Sequence, residues 1–351
     1  MLLLRNPKQI DNELSRNKEL KKLQKLDADS KMVNSVLDDL LKMGTRNFNF
    51  TGSGEPFIHK NVLEFMGRVK HSGSICSINT NGTLLDRQTI DELIKMEFND
   101  LRITTMAGTS DMYMRTHPGV ADTMFDNIKD NLLYLKERKA SLGKRYPEVT
   151  LVCIVVAQNS MGLLDFAKFA SLVQANRVSY RPFYDVEDEG LSKLIPTEEQ
   201  SEYVSKQLIE AQAYLDSRKF KHNISYFLKV FKQNLNTTAL YDIIPCYYGW
   251  LSSRLEVEGL LYPCCRCFEP LGDVSKNSFN EIWNGAAYRR FRKEAFNINK
   301  RKSSVTGCQC YSCPHYIANL RTYRMLHPVR ARSDRIKNLK LELSGNVGND
   351  E

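Results

Sequence analysis

Seven of the nine cysteines in this sequence fall between Cys246 and Cys313, and their spacing is that of metal ligands. Cys246 is followed after twelve residues by Gly259 and after four more by Cys264; further on come Cys308, Cys310 and Cys313. A two-residue spacer lets Cys310 and Cys313 aim both sulfurs at one centre. The stretch LEVEGLLYPCC reads as a hairpin turning at Glu258-Gly259, which returns Cys264 to the neighbourhood of Cys246. Four thiolates, from Cys246, Cys264, Cys310 and Cys313, then converge from two pieces of chain, a set that suits zinc or an iron–sulfur cluster. The spacing selects Cys264 over the adjacent Cys265. Cys265, Cys267 and Cys308 are spare: they serve a second cluster, a substitute ligand or no ligand role, and three sulfurs without a fourth argue against a complete second cluster. Buried thiols without metal need no such spacing.

Other residues carry less chemistry. Two glycine-containing turns follow strand-like runs, Thr51-Gly52-Ser53-Gly54-Glu55-Pro56 and Thr80-Asn81-Gly82-Thr83. Free backbone amides at such turns can receive a charged group, and the glycines also suit any tight turn. Cys76 and Cys153 sit inside apolar strand patterns and read as core. His59, His71, His117 and His315 are scattered; His315, two residues past Cys313, is expected to face solvent. No Walker or dinucleotide glycine pattern occurs, and no Ser–His–Asp set is legible, because its members meet only in space.

The elements that must position these residues alternate. Helical periodicity covers Lys31 to Met43, Asn61 to Lys70, Asp86 to Met96, Met124 to Lys139 and Met161 to Val173. Strand patterns cover Asn47 to Thr51, Ser74 to Thr80, Asp100 to Thr105, Val149 to Ala157 and Val178 to Phe183. This is a βα rhythm, with parallel strands joined by crossover helices, and both glycine turns lie at the strand ends where such folds keep their sites. The rhythm stops after Asp185 at the acidic loop VEDEG. Helices over Thr197 to Ser217 and Ile224 to Asn234 lead to the cysteine-rich segment. The spacing of these elements suits a barrel and an open sheet equally. The expected organisation is a polar segment 1–29, a βα core 30–185, bridging helices 186–244, a cysteine-rich domain 245–328 and a basic, polar tail 329–351.

A net charge of +9 over 351 residues, concentrated in YRRFRKEAFNINKRK and the stretch from Arg321 to Lys340, gives a basic surface. Such a surface attracts acidic peptides, phosphorylated substrates or nucleic acid, or is merely solvated. No run of about 18 apolar residues is present, and Met1-Leu2-Leu3-Leu4 is too short for a secretion signal. The expectation is a soluble, cytoplasmic protein with no membrane partner. Clustered cysteines in a chain without an export signal favour metal over disulfides.

The order Cys246-x12-Gly259-x4-Cys264, then GDVSKNSFNEIWN, then Cys310-x-x-Cys313 resembles a SPASM-type (or shorter twitch-type) auxiliary-cluster domain. That domain stands at the C-terminus of radical S-adenosylmethionine (SAM) enzymes. FTGSGEP resembles the family's GGEP motif, with Ser53 where Gly is usual; SINTNGT resembles its third-strand turn, and LRITTMAGTSDMYMRTHPG its fourth-strand region. The resemblance implies an α/β fold: a partial (β/α)6 barrel, here without its first strand, carrying a small SPASM-like domain. It implies a [4Fe-4S] auxiliary cluster on Cys246, Cys264, Cys310 and Cys313. It places SAM at the strand ends: Ser53, Gly54, Glu55 and Pro56 at its amino group, Thr80 and Asn81 near its carboxylate, Thr104 near the ribose, and Asn159 closing the site.

Radical SAM enzymes also hold a catalytic cluster with a C-x3-C-x2-C loop after the first strand, and this sequence has no cysteine before Cys76. The loop is expected upstream of Met1, through a late-called start or a fragment; otherwise the chain is a paralogue that has lost the chemistry. The function implied with that loop present is generation of a 5′-deoxyadenosyl radical to modify a peptide or small metabolite, with electrons from a flavodoxin or ferredoxin. The alternatives are a non-catalytic iron–sulfur scaffold or electron carrier, and a zinc-binding, nucleic-acid-associated protein. Nucleic acid is not the expected partner.

Overall fold

The computed structural model describes residues 27–52, 54–183, 192–233, 241–301, 303–310, 313 and 315–329. Ser53, the VEDEG loop, most of the expected N-terminal segment and nearly all of the expected tail lie outside these residues. Two compact units emerge, one spanning Arg46–Gln233 and one combining residues before it with Asn234–Ser344.

Helix α1 (Ser30–Lys42) starts at Asp29, whose carboxylate accepts from the Met32 amide at 2.8 Å. The βα rhythm groups this helix with the barrel. In the structure it belongs with the C-terminal unit, because Val36 packs into an apolar cluster with Leu261, Phe279, Ile282 and Tyr288.

The first unit is a parallel sheet whose strands are neighbours in simple chain order: β1 (Asn47–Phe50), β2 (Ile75–Thr80), β3 (Asp100–Thr104), β4 (Glu148–Val155), β5 (Arg177–Pro182) and β6 (Lys221–His222). Each parallel pair needs a crossover, supplied in turn by α2 (Val62–His71), α3 (Arg87–Lys95), α4 (Ser110–Thr116) with α5 (Met124–Ser141), α6 (Leu163–Leu172) and α7 (Glu198–Asp216). Helix α8 (Ile224–Gln233) follows the last strand. Right-handed crossovers in unbroken order put all helices on one face. The strands carry that difference. Phe48, Cys76, Ile78, Leu101, Ile103, Leu151, Cys153, Val155, Val178 and Tyr180 are buried on one side. Alternate positions on the other side are mostly polar (Asn49, Ser77, Asn79, Arg102, Thr104, Thr150 and Ser179), with Ile75, Val152 and Ile154 the apolar exceptions. A six-stranded parallel sheet in unbroken chain order agrees with the partial barrel that the family resemblance implies.

Local signals account for most boundaries. Thr197 and Gln200 form a reciprocal cap at the start of α7, and α5 buries Phe125, Ile128, Leu132 and Leu135 as its period requires. Helix α4 and strand β6 are absent from the sequence reading. They have seven and two residues, too few to display a period.

The second unit contains the short helix α9 (Tyr248–Leu251), a three-stranded antiparallel sheet of β7 (Arg254–Leu255), β8 (Leu260–Tyr262) and β9 (Gly272–Asp273), and helices α10 (Phe279–Trp283), α11 (Ala286–Phe296), α12 (Ile298–Arg301) and α13 (Tyr316–Leu326). The expected hairpin is present, with Leu255 opposite Leu261. Gly259 takes a φ of 89° at its turn, a left-handed conformation that favours glycine. No described helix is long and apolar enough to cross a membrane.

Candidate metal centre and strand-end cradle

Two backbone pairings bring the cysteine segments together. The Cys246 amide donates to the Ala295 carbonyl at 3.0 Å, tying the first cysteine to the end of α11. Phe268 donates to Gly307 at 2.9 Å and Gln309 to Arg266 at 2.8 Å, so residues 264–268 and 307–310 run side by side. Cys246, Cys264, Cys267, Cys308, Cys310 and Cys313 consequently share one apolar cluster with Tyr241, Phe291, Ala295, Ile298 and Val305. All four expected ligands are among them. Cys267 and Cys308 are joined to each other as a disulfide, and the Cys267 sulfur lies 3.5 Å from that of Cys264. Reduction of that pair adds two donors to the same pocket. Among the described residues the sulfurs share a pocket without three of them closing on a point at metal-bonding distance.

The pocket disfavours bare thiolates. Burial pushes the Cys246 thiol up to about 12 and the Cys313 thiol up to about 11, and raises Cys264 and Cys310 as well. A cation supplies the missing counter-charge, and its binding releases the thiol protons. Several soft donors in an apolar pocket fit an iron–sulfur cluster. Groups behind the donors fit as well. The Tyr241 hydroxyl lies 2.9 Å from the Cys313 sulfur, the Asn319 amide donates to that hydroxyl at 2.9 Å, and the His315 amide donates to the same sulfur at 3.4 Å. Such hydrogen bonds orient and tune a cluster's sulfurs.

Cys265 faces elsewhere, with its sulfur 3.2 Å from His315 Nε2. His315 itself stacks on Tyr248 with ring centroids 3.9 Å apart, and burial lowers it to about 4, so it is neutral. It does not face solvent as expected from its sequence position; the Tyr248 ring and Cys265 hold it inward. Sequence reasoning missed Tyr241 and Asn319, which stand 72 and 78 residues from the groups they touch.

At the strand ends, Glu55 is the organising residue. One carboxylate oxygen accepts from the Thr80 hydroxyl at 2.7 Å and from the Phe57 amide at 3.2 Å; the other accepts from the Asn81 amide at 2.7 Å. Pro56 opens the 3-10 turn that Glu55 caps. Gly54 is exposed beside them. Thr104, half-buried, ends the adjacent strand, where Thr80 lies in register with Ile103. Asn159 is 1% exposed and spends its side chain on the Met106 and Ile154 carbonyls and the Val156 amide, which makes it a clamp on the loop after β4.

Gly82 sets this turn. Its φ is 80°, and an added Cβ would stand 2.9 Å from the Ile103 Cγ2. Gly82→Ala is expected to cost about 1–2 kcal/mol from backbone strain alone, read as a lower urea midpoint; an unchanged midpoint contradicts this.

Cys76 and Cys153 are fully buried in the sheet. Burial pushes Cys76 up to about 12 and raises Cys153 further. The stability contributed by the neutral Cys76 thiol is whole below the ordinary value of 9.0 and is lost as pH climbs through about 12. Thermal melts should therefore fall above pH 9, less steeply in Cys76→Val, and iodoacetamide should label neither thiol before denaturation. Labelling of the folded chain at Cys76 would contradict the assignment.

Residues 246–314 match the SPASM iron–sulfur cluster-binding domain. Fold and domain together define the class: an α/β protein with a six-stranded parallel sheet, similar in fold to the two solved structures described next, and carrying a C-terminal SPASM domain. PqqA peptide cyclase of Granulibacter bethesdensis is 22% identical over 292 residues, covering 78% of this chain and 72% of the relative. The tungsten-containing aldehyde ferredoxin oxidoreductase cofactor-modifying protein of Pyrococcus furiosus is 24% identical over 285 residues, covering 76% and 75%. Among solved structures, native anSMEcpe with bound AdoMet is similar with a TM-score of 0.57 at 15% identity, covering 90% of this chain and 91% of that one. Streptococcus suis SuiB follows at 0.56 and 14% identity, covering 80% and 70%.

Proposed function

We propose that this chain is a radical SAM protein that modifies a peptide, seating SAM at the strand ends and using its C-terminal iron–sulfur centre to carry electrons or bind substrate. The observation that carries the reading is the Glu55 carboxylate, which locks the TGSGEP and TNGT turns into one unit through Thr80 and Asn81. In this reading, the backbone of Ser53, Gly54 and Glu55 with Pro56 receives the SAM amino group. Thr80 and Asn81 lie by its carboxylate and Thr104 by the ribose, while Asn159 holds the wall. Peptide substrates are supported by PqqA peptide cyclase and by an anSMEcpe structure with bound AdoMet and a peptide; a small metabolite is the other substrate class.

A reduced cluster with SAM, where one is held, would supply a 5′-deoxyadenosyl radical able to take hydrogen from a substrate. The cysteines of this chain's barrel do not fit the holding of such a cluster. Cys76 and Cys153 are both fully buried, and no C-x3-C-x2-C occurs in the sequence. The barrel residues present bind and orient; radical formation requires the three-cysteine loop in addition. That observation also favours a second reading, a non-catalytic iron–sulfur scaffold or electron carrier.

Calorimetry with SAM on the anaerobically reconstituted chain tests the cradle. Binding is expected, with 5′-deoxyadenosine released only from a form extended in frame to a C-x3-C-x2-C segment. Failure to bind SAM while the cysteine centre is filled overturns the proposal. An upstream stop codon without that motif selects the scaffold.

A further inference from the structure

Helices α9 and α11 carry an exposed aromatic and cationic face that the cysteine chemistry leaves unused. Trp250, Leu251 and Phe296 are 45%, 50% and 47% exposed. The Trp250 and Phe296 rings meet edge-on with centroids 6.3 Å apart, and Phe296 meets Tyr247 in the same way at 6.4 Å. Single apolar residues on a surface need no explanation, whereas a contiguous patch rimmed by polar groups marks an interaction site.

The rim is positive. From Ala286 to Arg301 the chain has six basic residues and one acid, Glu294, which pairs with Arg301 at 3.0 Å. Arg290 faces Glu269 at 3.7 Å. Arg292 lies over the Trp283 ring and donates to the Gly249 and Trp283 carbonyls. Arg289 and Lys293 are exposed, and Arg289 donates to the neutral Asn284 carbonyl, which leaves its charge uncompensated by that contact. Arg289, Lys293 and Phe296 recur at helical spacing on α11, so cations and ring share one helix face.

This face is joined to the sulfur pocket by short stretches of structure. The Cys246 amide is hydrogen-bonded to Ala295, the residue before Phe296. Trp250 lies four residues beyond Cys246, and its amide donates to Tyr247 at 2.9 Å. Phe291 and Ala295, from the inner side of α11, belong to the cluster around the sulfurs. Electron-transfer rates fall exponentially with distance, so a donor seated here has a short route to Cys246.

We infer that this face docks an acidic electron-carrier protein of the flavin or iron–sulfur class, and that electrons enter the C-terminal centre beneath it. The inference rests on the cysteine pocket holding an iron–sulfur centre. The step is balanced without bond changes: the reduced carrier loses one electron and the centre gains it. A small aromatic contact inside a cationic rim suits a transient redox encounter, in which rim charges set the association rate. An acidic peptide would answer to the cations; the exposed ring pair and the hydrogen bond from Cys246 to Ala295 beneath it favour the redox carrier.

The test uses the full chain, reconstituted anaerobically, with flavodoxin hydroquinone as donor and bleaching of the centre's visible absorbance as readout. The parent rate should fall with added salt. Arg289→Glu with Lys293→Glu should slow reduction at low salt by about tenfold or more and flatten the salt dependence. Trp250→Ala should slow it while keeping the salt dependence. Both variants should retain parental iron and parental reduction by dithionite. A filled, dithionite-reducible centre that flavodoxin reduces at the parental rate in the charge-reversed chain overturns the inference. So does a polyglutamate peptide that binds this face when flavodoxin forms no complex. A chain that takes up no iron sinks the cluster reading instead. The face is then judged by flavodoxin binding alone: sensitivity to the double charge reversal supports it, and insensitivity overturns it.

Discussion

A chain with Cys246→Ala and Cys313→Ala together will purify without the iron that the parent takes up on anaerobic reconstitution, expected at roughly four irons for one thiolate-held cluster. The two residues enter the pocket from opposite ends of the module, so their loss removes half of the expected donor set. The remaining thiols cannot stand as anions on their own, since burial drives them toward the protonated form. Cys264→Ala should lose the centre as well. Cys265→Ala should leave iron content unchanged, because that sulfur is turned to His315. Retention of iron by Cys264→Ala with loss in Cys265→Ala would reverse the ligand assignment. Zinc in place of iron in the parent would return the zinc-binding alternative. The module is not expected to unfold entirely without metal, because its second apolar cluster, around Leu261, Phe279 and Tyr288, is built independently of the cysteines. Iron analysis and visible absorbance read the first effect, and circular dichroism the second.

Glu55→Ala carries the next largest effect. Its carboxylate accepts from Thr80 and Asn81 at 2.7 Å each, and hydrogen bonds to a charged group contribute about 1.5–3 kcal/mol apiece. Losing both separates the two strand-end turns and is expected to weaken SAM binding by about 3 kcal/mol, roughly a hundredfold. Glu55→Gln keeps one acceptor oxygen and offers a donor where the other stood. The Thr80 hydroxyl can rotate to accept from it and the Asn81 amide cannot, so an intermediate loss is expected. Iron content at the cysteine centre should be parental in both variants. Calorimetry reads the binding; an unaltered SAM affinity in Glu55→Ala would remove Glu55 from the cradle.

Much of this was legible in the chain because the signals are local. The strands Asn47–Phe50 to Arg177–Pro182 announce themselves through short apolar runs, and the hairpin at Gly259 through its turn. The gathering of the four expected ligands in one pocket was legible because a two-residue spacer and a hairpin constrain sulfurs irrespective of the rest of the fold. Helix α1 was legible as a helix and misplaced as a neighbour, since its period says which face is apolar and nothing about what covers it. His315 was read as solvent-facing because sequence proximity to Cys313 does not reveal the Tyr248 ring.

The amino-acid order by itself determined the βα succession, the two glycine turns and the cysteine spacing, all of which depend on residues within a few positions of one another. Tertiary structure alone decided that Glu55 spans two turns, that Tyr241 and Asn319 stand behind Cys313, and that Cys265 turns away while Cys267 meets Cys308. The physical reason is range. Backbone preference and side-chain period act over one or two turns of chain, whereas these contacts join segments 25 to 78 residues apart and exist only once packing has brought them together.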